Sequence, residues 1–95
     1  MRLMLIAVLS TLPLSATAQN PICAPTGEIV ARAVEARKDG QKAPQTIKAI
    51  SADMTGDRAA YEPAVQPLVT WVYELDEAAL QEDVAGSYVT QCEAQ

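Results

Sequence analysis

The sequence contains no histidine. That removes the commonest general base, the common nucleophile-activating triads and the usual transition-metal ligands. Phenylalanine is absent too, and the aromatic complement is one tryptophan and three tyrosines. A small fold so poor in large rings can hardly spare Trp71 and Tyr73 from its core. The four glycines, Gly27, Gly40, Gly56 and Gly86, are isolated from one another, so no glycine-rich phosphate cradle exists. The two cysteines have no C-x-x-C spacing to tune a thiol, and without histidine they are too few for zinc. Beyond Arg58 there are seven acids and no lysine or arginine.

Other candidate chemistry is thin. Ser51 and Ser87 have no recognisable activating partner, and the acid pairs Asp76/Glu77 and Glu82/Asp83 are adjacent, so they diverge around a helix as a solvated face. Asp53 and Asp57 flank Gly56, but the alternating acids, sixth-position glycine and twelfth-position glutamate of an EF-hand loop are missing. The segment reads as a turn. No catalytic, cofactor-binding or metal-binding residue is assigned, and the chain is expected to be non-enzymatic.

What is present begins with an address. Arg2 forms a minimal positive region, Leu3 to Leu9 an apolar run, Pro13 a break, and Ala16-Thr17-Ala18 a small-residue cleavage site. The apolar run is shorter than the roughly 20 residues that span a bilayer. Residues 1–18 are therefore expected to be a signal peptide cleaved after Ala18, and residues 19–95 a single small exported domain of 77 residues. The Asn20-Pro21-Ile22 sequence before Cys23 does not resemble a lipobox, and the compact alanine-rich leader points to a bacterial periplasm. With the leader removed, six bases face twelve acids, a net charge of −6. Nucleic acid and anionic membrane are poor partners for such a chain, and no stable membrane insertion is expected after signal removal.

A core of this size usually needs reinforcement. Cys23 and Cys92 stand near the two ends of the expected mature chain, and export puts them in an oxidising compartment. A disulfide between them closes a loop of about 70 residues and stabilises the fold by roughly 4 kcal/mol through chain entropy.

Periodicity gives an all-α fold of about four short helices closed by that bond. The first runs over 27–38, with Thr26 as cap. Its apolar face carries Ile29, Val30, Ala33, Val34 and, in register, Arg37; Glu28, Arg32 and Glu35 form a solvated ladder opposite. Asp39-Gly40 stops it, with the glycine in the left-handed position after the helix. Pro44 fits the first turn of a second helix striped by Ile47, Ile50 and Met54 and ended by Gly56. A third covers 64–73, with Pro67 still inside its first turn. Strand propensity in Val69, Thr70, Val72 and Tyr73 competes there, but a lone strand has no partner. Within residues 67–75, the densest apolar run after the leader, Leu68, Val69, Val72 and Tyr73 share a face with Val65, and Trp71 and Leu75 widen it. This helix is expected to be the buried one. A fourth is capped by Asp76 and runs to about Gln91, with Leu80, Val84 and Tyr88 in one stripe. Gly86 interrupts it, so the glycine is expected to serve close packing, beneath Trp71, and Gly86→Ala to destabilise.

The segment Glu35-Ala36-Arg37-Lys38-Asp39-Gly40, then Val72-Tyr73 and Cys92, resembles that of small periplasmic all-helical proteobacterial proteins with one cysteine near each end, a resemblance that implies no activity. The layout is also similar to the HdeA-like acid-stress chaperones, which are periplasmic, helical and disulfide-linked. The leading expectation is a periplasmic protein that acts by contact with another protein, with Trp71 and Tyr73 as possible interface residues if exposed. A chaperone unmasked by acid and an inhibitor or immunity protein for an exported toxin are the alternatives. A thiol titration of the oxidised, denatured protein should find no free thiol, and two would refute the disulfide.

Overall fold

A computed structural model describes residues 20–95. The expected signal peptide, residues 1–18, and its expected cleavage site after Ala18 lie outside the described residues. Four α-helices follow in order: α1 (Cys23–Lys38), α2 (Ala43–Ala52), α3 (Val65–Glu74) and α4 (Val84–Glu93). Two 3₁₀ segments, Gly56–Ala64 and Glu77–Gln81, lead into α3 and α4. No strand occurs among the described residues. The domain is all-α and closed by the Cys23–Cys92 disulfide, whose Cα atoms are 5.7 Å apart.

The hub is α1. It packs against α2, α3, α4 and the first 3₁₀ segment, and Cys23, Thr26, Gly27, Ile29, Val30, Ala33 and Val34 are all buried. So α1, rather than α3, is the most buried helix: α3 buries only Val65, Val69 and Val72. The apolar core joins Ile29, Val30, Ala33 and Val34 to Ile50 and Met54, the three valines of α3, and Leu80.

Two of the expected boundaries stand. At the end of α1 the Gly40 N–H donates to Arg37 O and the Gln41 N–H to Ala36 O, with Gly40 at φ 85°. These two bonds satisfy carbonyls that the helix end would otherwise orphan, and the turn needs a residue without a Cβ. Pro44 lies in the first turn of α2, where its missing N–H costs nothing.

The start of α1 differs. The helix begins at Cys23, four residues before the expected start, because Pro25 sits in the first turn, where its N–H would have no intrahelical partner anyway. Thr26 is therefore not a cap. It is inside the helix, and its hydroxyl donates to Ile22 O at 2.6 Å. The solvated ladder does not form either. Glu28 pairs with Arg58 of the first 3₁₀ segment and Arg32 with Asp53 at the end of α2, so the outer face of α1 ties down the elements beside it. Arg37, in register with the apolar face, carries its guanidinium to the end of α3, where Nη1 donates to Val72 O and Leu75 O at 2.7 Å each. A cation on the last carbonyls of a helix is favoured by hydrogen bonding and by the helix dipole together.

The 57–66 stretch, where Pro63 and Pro67 obstruct an α-helix, is wound as a 3₁₀ segment that passes into α3 at Val65. Pro67 then falls in the first turn of α3, close to the expected register.

The fourth helix is the largest correction. Asp76 opens only the short 3₁₀ segment Glu77–Gln81, and the chain is extended at Glu82. The true cap of α4 is Asp83, whose Oδ1 accepts from the Gly86 N–H at 2.8 Å. Gly86 thus belongs to the first turn of α4 rather than to the middle of a longer helix, and a Cβ there would strike the Asp83 carboxylate, not the ring of Trp71. The close helix approach is instead at Gly27, where a Cβ would overlap Val89 Cγ2 of α4. A valine in a helix is held to one rotamer and cannot easily give way.

Gly27→Ala should therefore destabilise the oxidised protein by about 1–2 kcal/mol, overpacking outweighing the better helix propensity of alanine. Gly86→Ala should stay within about 1 kcal/mol of wild type, since the flexible Asp83 side chain can move and the lost cap is offset by propensity. Denaturant unfolding of the two variants checks the order, and a larger loss at Gly86 would refute it.

Candidate functional site

The feature that stands out on the surface is a pair of rings. The helix steps by about 100° per residue, so Val65, Val69 and Val72 line one side of α3 and Trp71 points well away from it. Trp71 is 40% exposed, against the core position expected of it. Its ring lies over Tyr88 of α4, centroids 6.2 Å apart and planes tilted by 47°. Tyr88 is fixed in turn by α1: its hydroxyl donates to Thr26 Oγ1 at 3.0 Å. Thr26 can accept because its own proton is spent on Ile22 O.

Trp71, Ser87, Tyr88, Gln91, Cys92 and Gln95 line a shallow depression of about 400 Å³. Its walls are aromatic and amide, with no charged side chain. Cys92 brings the disulfide to its edge. Ile22, the other large apolar side chain exposed among the described residues, adjoins Cys23 and so lies at the same bond.

Tyr73 has a different part. Its hydroxyl donates to Gln41 O at 2.7 Å and accepts from Thr46 Oγ1 at 2.9 Å, because the carbonyl can only accept and the phenol has one proton. Thr46 is 1% exposed. Tyr73 thus satisfies a buried hydroxyl and ties α3 to the loop after α1, while Trp71 alone of the two presents its ring outward.

The remaining candidates stay apart. Asp53 is engaged by Arg32, and Asp57 lies beyond it at the start of a 3₁₀ segment. Ser87 lies between the aromatic depression and a second one that it lines with Asp83, Gly86, Thr90 and Gln91. Among the described residues no group of three His, Cys, Asp or Glu side chains is placed to hold a metal ion, and no helix is long and apolar enough to cross a membrane.

Tyr88 was legible only as a member of the α4 stripe. The signal for its place was its spacing: four residues before Cys92, it must lie one helical turn from the disulfide. The depression itself joins α3 to α4 across 16 residues of chain that no local pattern spans. Compared with protein-family models, curated proteins and solved structures, the chain gives no match. What the fold defines is a class: a small all-α domain closed by one disulfide, with an aromatic patch beside that bond.

Proposed function

We propose that this is an exported, periplasmic protein that works without catalysis, by contact with another protein, through the surface formed by Trp71 and Tyr88. The observation that carries the reading is the exposure of the only tryptophan in a chain that has so few large rings for its core. Tryptophan and tyrosine are enriched among the residues that dominate binding energy in interfaces. A fold that buries valines and isoleucines and leaves its tryptophan 40% exposed keeps part of that ring free for contact. A contact surface gains a rigid anchor with few rotamers to freeze.

Two further features support it. Ile22 adds a second exposed apolar side chain at the same disulfide, and the pairing of the only two cysteines fits an oxidising compartment. The excess of acids over bases keeps the remaining surface soluble.

The test is affinity capture from periplasmic extract with wild type and Trp71→Ala side by side. A specific partner should be retained by wild type and bound at least about tenfold more weakly by the variant. The variant should still melt cooperatively, within a few degrees of wild type. A partner held equally by both proteins would remove Trp71 from the interface.

A further inference from the structure

Among the four α-helices, α4 is the one that contributes no fully buried residue. The buried core residues lie in α1, α2, α3 and the segments that follow α2 and α3, through Leu80; Val84, Ala85 and Tyr88 of α4 are partly buried against them. The chain enters α4 through an extended residue, Glu82, at φ −101° and ψ 172°, so no continuous helix couples α4 to what precedes it. Toward its C-terminal half, α4 is held on α1 by the disulfide, by the Gly27–Val89 approach and by the Tyr88–Thr26 hydrogen bond.

The bond is presented unevenly. Cys23 is 0% exposed, whereas Cys92 is half-buried and borders the depression beside Trp71. Of the two cysteines, Cys92 is therefore the one that reaches solvent.

We propose that Cys23–Cys92 is a redox latch, and that a dithiol reductant opens it by releasing α4 from a body that stays folded. One thiolate of the reductant attacks Cys92 Sγ and forms a mixed disulfide, and Cys23 leaves as a thiolate that takes up a proton. The second thiol of the reductant then displaces Cys92 and closes the reductant's own disulfide. Two electrons and two protons pass to the protein, and the dithiol leaves oxidised. Without the bond, α4 is retained only by partly buried contacts, and local opening becomes the least costly motion available to the fold. Its departure uncovers Cys23, Thr26 and Gly27 on α1 and separates Tyr88 from Trp71, so the aromatic patch exists only in the oxidised state. Val34, which shares a depression with Val84 and Ala85, is uncovered with them.

Amide hydrogen exchange on the same chain, oxidised and in excess dithiothreitol, tests the latch. Reduction should speed exchange across residues 84–93 at least about 100-fold more than across residues 29–34 and 65–74, which keep measurable protection. A Cys23→Ser, Cys92→Ser double variant should show the reduced pattern without any reductant. Two results would overturn the proposal. One is α4 staying as protected when reduced as when oxidised. The other is a loss of protection by all four helices together, which would make the bond a support of the entire fold.

Discussion

The constraint on which the structure depends is that one helix must serve as a wall for all the others. In so short a domain the apolar surface available is small, and conformational entropy opposes folding at every residue. The chain answers by burying α1 along most of its length. Ile29, Val30, Ala33 and Val34 meet the apolar sides of α2 and α3, and the small residues Cys23 and Gly27 let α4 approach closely. Polar groups at the margins complete the arrangement. Arg37 closes the end of α3, Tyr73 satisfies Thr46, and Arg32 and Arg58 fasten the elements on the outer side.

The disulfide lies at the N-terminal end of this wall, where α4 packs along α1. It joins the first residue of α1 to the penultimate residue of α4, the pair of helices whose contact includes no fully buried α4 side chain. Roughly 4 kcal/mol of loop-closure entropy is comparable with the entire net stability of many small domains. Covalent closure limits the freedom of the unfolded chain as a whole, while apolar burial joins α1 to α3 more fully than it joins α4. The aromatic patch lies at the seam between α3 and α4, which makes its geometry sensitive to the state of the bond.

Much of this was readable from residues taken locally. The disulfide followed from having two cysteines and one possible intramolecular pairing. The stop at Gly40 and the start near Pro44 follow from backbone chemistry that no tertiary contact overrides. Where the reading failed, two local options were both chemically sound and packing chose between them. Pro25 is as acceptable inside a first turn as before one, and the disulfide favours the longer α1 by fixing Cys23 in its first turn. Asp76 and Asp83 are equally good caps, and burial of Leu80 in a 3₁₀ turn left Asp83 to start the last helix. Trp71 was misplaced because the apolar stripe of α3 is wider than the face that α1 covers. Small valines fill that face, and the largest side chain is left to the surface.

The central claim is that the buried core ends with Leu80 and that α4 packs against it without contributing a buried residue of its own. Its most direct measurement is equilibrium unfolding of the oxidised protein with one valine truncated on each side of that division. Val30, which is 0% exposed, should cost about 2–4 kcal/mol as Val30→Ala. Val84, at the edge of the core, should cost less than about 1 kcal/mol as Val84→Ala. Equal losses at the two positions would show that α4 belongs to the core and would contradict the account.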